Sequence, residues 1–191
     1  TGALSQMNTL TEGELQLSLP VGARGRCFDD PATHGLTHCM KAVDFIVETA
    51  DRIWFIEFKD PEHSRAGERS REVFLHDFRS GRLDNDLKTK YRDSWLYEHA
   101  QGRLAKPVHF AVLIACSTLT AAELLNRTEA LRRQLPLRGP GGRAWPVPHV
   151  AGCAVMNMGT WNRYMQNMPV TRLVPGQAAS QGQVPAQSRP A

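Results

Sequence analysis

The chain has 191 residues, 41% of them hydrophobic, and a formal net charge of +4. That length suits one domain with a substantial core better than two, and the mild basicity admits a polyanionic partner without requiring one. No apolar run reaches the length of a membrane-crossing helix, so a membrane is not among the expected partners.

The four cysteines, Cys27, Cys39, Cys116 and Cys153, form no CxxC pair. Cys116 and Cys153 sit in apolar runs, where a free thiol behaves as a small hydrophobe. This pattern argues against a disulfide framework and for a reducing compartment. No basic-then-apolar leader opens the sequence, and the expected location is the cytoplasm.

In chain order, the first dozen residues read as polar and irregular. From Glu14 to Leu19 the leucines alternate, as in a half-buried strand closed by Pro20 and Gly22. A loop rich in Gly, Asp, Pro and His is expected from Gly25 to about His38. Then come two runs rich in β-branched and aromatic residues, Ala42 to Glu48 and Arg52 to Lys59. The short polar link Thr49-Ala50-Asp51 predicts an antiparallel hairpin, and Pro61 ends it.

Spaced apolar residues between Glu62 and Gly102 predict a helical region broken near Gly81. Val108 to Cys116 is almost continuously apolar, as for a strand covered on both faces. Ser117 or Thr118 is the expected cap of a helix from about Ala121 to Leu135, with Glu123 in its first turn. Arg132 and Arg133 near its end suit the helix dipole. A Gly/Pro-rich loop spans Pro136 to Pro148, a strand is expected over Val150 to Met156, and a short helix over Trp161 to Met168. Trp54, Trp95, Trp145 and Trp161 read as core or lid residues. Residues 173–191 are dominated by Gln, Ala, Ser, Pro and Gly and predict a disordered tail after a single domain over 1–172. The element order implies an α/β fold with a mixed central sheet flanked by helices.

Asp44 interrupts an apolar run, and Glu57 and Lys59 lie near the end of the next. Alternation puts residues 57 and 59 on one face of their strand and Phe58 on the other. Pairing of the two strands brings Asp44 beside Glu57. Buried like charges repel and are desolvated, and a divalent cation removes that conflict. Asp44 and Glu57 are hard oxygen donors of the kind Mg²⁺ prefers, and Lys59 can orient a water or offset transition-state charge. The competing reading is a plain ion pair at a sheet edge.

Asp44 followed thirteen residues on by Glu57-Phe58-Lys59 resembles the PD-(D/E)XK, or restriction endonuclease-like, nuclease superfamily. There a hairpin carries the Asp and the E-x-K, and a helix, an apolar strand and another helix follow. This chain matches that order from about Ala42 to Leu135. The stretch FDD…KAVDFIVE…IEFKD is also similar to small bacterial members. The resemblance implies a restriction endonuclease-like sheet and Mg²⁺-dependent phosphodiester hydrolysis, with Mn²⁺ able to substitute. Asp44 and Glu57 would be metal ligands, the Phe58 backbone carbonyl a further ligand, and Lys59 the catalytic lysine. The substrate implied is nucleic acid, DNA rather than RNA. Val43 stands where the family often has proline. For the family's additional acid, Glu14, Asp29 and Asp30 compete, and Asp30 is preferred because Phe28-Asp29-Asp30 leads towards the hairpin.

Lys88, Lys90 and Arg92 lie on the helix that flanks the site in the resembled family, and phosphate contact competes with a solvated helix face. Cys27, His34, His38 and Cys39 fit no common zinc pattern, and the loop carrying them could instead lend a histidine to substrate. No separate recognition module is visible, so a homodimer or a larger defence or repair complex is the expected source of specificity. The rival function is a catalytically inactive nuclease-fold module within such a complex.

Overall fold

The computed structural model describes residues 9–147 and 149–174. The two β-rich runs form the predicted hairpin: β4 (Phe45–Glu48) pairs antiparallel with β5 (Ile53–Lys59), with Phe45 opposite Ile56. The turn closes through Thr49 N–H to the Arg52 carbonyl at 2.9 Å. The first strand is shorter than expected. Asp44 lies just ahead of it, and its carbonyl accepts from Phe28 N–H at 2.7 Å.

β3 (Arg24–Cys27) pairs antiparallel with β4, while β6 (Val108–Ile114) and β7 (Gly152–Met156) continue the sheet beyond β5 in parallel. The central sheet is therefore mixed and five-stranded, in the order β3-β4-β5-β6-β7. A second, three-stranded sheet comprises β1 (Thr9–Glu12), β2 (Leu15–Ser18) and β8 (Val170–Arg172), in the order β1-β2-β8.

Each face of the central sheet buries its own core. On one side Phe55, Phe110, Val112 and Ile114 meet Phe78 of α2 (Glu68–Ser80), Leu87 and Tyr91 of α3 (Arg82–Ala100), and Leu124 and Leu131 of α4 (Ala121–Gln134). On the other, Phe45, Ile56, Phe58 and Leu113 meet Leu15, Leu17 and Val170 of the small sheet and Trp161 of α5 (Met158–Tyr164). Burial on both faces explains the almost continuously apolar run of β6. Gly81 separates α2 from α3 at φ 80°, a left-handed conformation that favours glycine.

Several expectations are corrected. Thr9–Glu12 is a strand rather than irregular chain, and the segment from Gly25 to His38, expected as a loop, contains most of β3 and the short helix α1 (Pro31–His34). β1 and β3 carry few apolar residues because they lie at sheet edges, where backbone pairing rather than burial defines the strand. The cap of α4 is Thr120, whose hydroxyl and Glu123 form a reciprocal capping box, and not Ser117 or Thr118. The expected loop at 136–148 includes a 3-10 turn at Pro140–Gly142. The closing helix begins and ends earlier than expected, and its chain goes on into β8. Leu173, expected in the tail, is tied to the small sheet, donating its N–H to the Glu14 carbonyl at 2.8 Å. From residue 175 the predicted tail lies outside the described residues. Among the described residues no helix is long and apolar enough to cross a membrane.

Candidate active site

Glu57 and Lys59 occupy alternate positions at the carboxyl end of β5 and face α3. Glu57 is completely buried. Its counterpart across the hairpin is Asp44, one position beyond the last paired residue, Phe45. There Asp44 replaces a backbone rung with its side chain: Oδ2 accepts from Phe58 N–H at 2.6 Å. The N–H of Phe58 thus faces Asp44, while the carbonyl of Lys59, one residue on, accepts from Ala115 N–H on the opposite edge at 2.8 Å.

Helix α3 completes the site. The Lys90 ammonium lies 2.7 Å from Glu57 Oε1, 3.6 Å from Asp44 Oδ1 and 3.7 Å from Asp29 Oδ2. Lys59 Nζ approaches the same Glu57 oxygen at 2.8 Å and lies 4.0 Å from Asp86, which in turn pairs with Lys41. Glu57 Oε2 is inaccessible to solvent and has no hydrogen-bond partner among the described residues. An unmet buried carboxylate oxygen is costly in a folded protein.

The same helix positions Asp44. Ser94 Oγ accepts from Val43 N–H at 3.0 Å, and Asp93 Oδ2 accepts from Lys41 N–H at 2.9 Å. Asp86, Lys90 and Asp93-Ser94 recur at helical spacing, so one stripe of α3 both supplies a cation and holds the segment that enters β4. The chain leaving Lys59 is held as firmly. Arg172 makes two contacts with the Asp60 carboxylate, at 2.7 and 2.8 Å, Glu62 accepts from Ser117 N–H at 2.8 Å, and Ser64 is bound by Glu14.

Burial pushes the Asp44 carboxyl up to about 6, against the pull of Lys90 and the Phe58 N–H. Burial, followed by the charge of Asp44, pushes Glu57 up to about 7, with Lys59 and Lys90 opposing. Burial works against the charge on Lys90, but Glu57 and Asp44 outweigh it and hold the ammonium above its usual range. The Glu12 carboxyl is raised by partial burial and then by Asp29 and Glu57.

The structure separates the other candidate residues. Asp30 caps α1, accepting from Ala32 N–H at 2.8 Å, and Glu14 is engaged by Ser64 and Arg172; Asp29 is the candidate acid that faces Lys90. Lys88, Lys90 and Arg92 do not form one basic strip, because two residues turn a helix through about 200°. Lys90 enters the carboxylate cluster, Lys88 reaches Gln134 of α4 at 3.3 Å, and Arg92 is exposed. His34 is buried between Phe28 and Tyr97, with Nδ1 accepting from Leu36 N–H at 3.3 Å, whereas Cys27, His38 and Cys39 are exposed. Among the described residues no three His, Cys, Asp or Glu side chains are grouped so as to hold a metal ion.

The part of Lys90 in the cluster and the brace from Ser94 were missed at the level of sequence. The available signal was a polar stripe on α3 at positions 86, 90 and 94, which reads equally well as a solvated face. The apolar groove of about 460 Å³ between α4, α5 and β7 is lined by none of the cluster residues. No family model, curated protein or solved structure matches this chain.

Proposed function

We propose that this chain is a metal-dependent nuclease that hydrolyses phosphodiester bonds in nucleic acid, DNA rather than RNA, using Mg²⁺ or Mn²⁺ and a restriction endonuclease-like sheet. The observation that carries the reading is Glu57: fully buried, one oxygen without a partner among the described residues, and facing the same ammonium as Asp44. The donor set fits the group. Mg²⁺ is commonly held by only one or two carboxylates, with waters and substrate oxygens completing its shell, so the absence of a third grouped ligand among the described residues is compatible with it.

Asp44 and Glu57 would hold the ion, with the Phe58 carbonyl as a further ligand. When bound, the ion supplies Lewis acidity at a phosphoryl oxygen and makes water a better nucleophile. Lys59 lies on the Glu57 face at the solvent side of the cluster, one quarter exposed. Its ammonium has no lone pair to give a metal while charged. It orients the attacking water and offsets the negative charge that grows on the phosphoryl oxygens. The water adds to phosphorus, the bond to the leaving sugar oxygen breaks, and the two products are a phosphate monoester and a hydroxyl.

A second reading is a nuclease-fold module that binds without cleaving, and Lys90 favours it, since its ammonium already neutralises Glu57 at 2.7 Å. One experiment separates the two: cleavage of single- and double-stranded DNA and RNA in Mg²⁺, Mn²⁺ or EDTA, with calorimetric Mn²⁺ titration alongside. Metal-dependent cleavage that is lost in Glu57→Ala supports the nuclease. Absence of both Mn²⁺ binding and cleavage on every substrate would leave the binding module.

A further inference from the structure

We propose that Lys90 is the resident cation of the carboxylate cluster, and that a divalent ion enters by exchange with the Lys90 ammonium rather than by addition to a vacant site. The inference rests on the metal-dependent reading above. It starts from electrostatics: a fully buried carboxylate next to a second carboxylate requires positive charge whenever both are ionised. The chain supplies that charge from two elements. Lys59, on β5, approaches Glu57 from the side of Asp86. Lys90, on α3, stands among Glu57, Asp44 and Asp29, and only 14% of its side chain is exposed.

The oxygens at issue are few. Asp44 Oδ2 is committed to the Phe58 N–H, which leaves Oδ1 for a cation, and Oδ1 faces Lys90 at 3.6 Å. Glu57 Oε1 faces the same nitrogen at 2.7 Å. An ion bridging Asp44 and Glu57 would take Asp44 Oδ1 and a Glu57 oxygen, Oε1 or the unpartnered Oε2, at about 2.0–2.1 Å. The Lys90 ammonium faces that Oδ1 at 3.6 Å and Oε1 at 2.7 Å, and two cations so close together in a buried site repel. Lys59 is in less conflict with such an ion, because it reaches Glu57 and Asp86 rather than Asp44. Lysine suits the part: its four-carbon stem lets the ammonium withdraw towards solvent without moving the helix. Once released, the ammonium remains beside the site, where it can meet a phosphate oxygen.

Exchange makes predictions that a static ion pair does not. Breaking a charge-assisted hydrogen bond of this kind weakens metal binding by about tenfold to a hundredfold. Lys90→Met keeps an unbranched apolar stem and removes the ammonium, so it should bind Mn²⁺ at least tenfold more tightly than wild type in calorimetry. Lys59→Met, which removes one charge from the same Glu57 oxygen, should gain less. In the wild-type chain, acylation of Lys90 by an N-hydroxysuccinimide ester, followed by peptide mass spectrometry, should speed up several-fold when Mn²⁺ is added, with Lys106 as the internal reference. This readout needs no variant and so survives any folding defect in Lys90→Met. Wild type that binds Mn²⁺ without a change in Lys90 labelling would overturn the exchange and leave the metal-dependent reading intact. So would equal gains from the two methionine variants. Failure of both wild type and Lys90→Met to bind Mn²⁺ would overturn the metal-dependent reading and the exchange together.

Discussion

Glu57→Gln is the sharpest probe of the cluster, because it removes one buried charge while preserving shape. The carboxyl is fully buried and raised to about 7, from an ordinary 4.5. A carboxyl raised by folding is protonated in the folded chain while still largely ionised in the unfolded one. The folded state therefore binds more protons between these two values, and stability falls as pH rises through that window. A tenfold difference in proton affinity between the two states is worth about 1.4 kcal/mol, so the metal-free protein should lose about 2–3 kcal/mol between pH 5 and pH 8 from this group alone. Glutamine does not titrate, and Glu57→Gln should lack that part of the slope. Asp44, raised to about 6, contributes in the same direction over a lower window in both proteins. Urea denaturation in EDTA at pH 5, 6, 7 and 8 measures the difference. Mn²⁺ at pH 8 should restore stability to wild type and much less to Glu57→Gln. Parallel pH profiles for the two metal-free proteins would mean that Glu57 is already ionised at pH 5, and the burial argument for the cluster would fail.

Lys59→Ala should lower cleavage by about a hundredfold to a thousandfold, as for loss of one transition-state electrostatic contact, while calorimetry shows Mn²⁺ binding largely retained. Cleavage at the full wild-type rate would remove Lys59 from the mechanism. Ser94→Ala leaves the buried Val43 N–H without its acceptor; it should cost about 1–3 kcal/mol of stability and weaken Mn²⁺ binding through displacement of Asp44, both absent if the Val43 segment is held by packing alone. The double neutralisation Lys88→Ala with Arg92→Ala should leave the salt dependence of nucleic-acid affinity nearly unchanged, since these side chains turn away from the cluster. A slope reduced by one or two counter-ions would put them on the phosphate path.

Local periodicity and the cost of burying charge governed how much could be read along the chain. Alternation in Ile53–Lys59 and the neighbouring apolar run placed Glu57 and Lys59 on one face and Asp44 opposite, and the hairpin register follows that pairing. The break at Gly81, the strand Val108–Ile114 and the helix from Ala121 were legible for the same reason: each buries a face whose pattern repeats along the chain. The edge strands β1, β3 and β8 were not, because they are defined by partners far away in sequence and carry little apolar signal of their own. Nor was the use of each charge. Asp29 and Asp30 are neighbours, yet one faces Lys90 and the other caps a helix. Lys88, Lys90 and Arg92 read as one basic group until the turn of α3 sends a single member into the carboxylates. Charged side chains are long and tolerate either water or a partner, so their local pattern does not choose between the two. Only the packing of α3 across the end of β5, which closes water off from Glu57, made that choice.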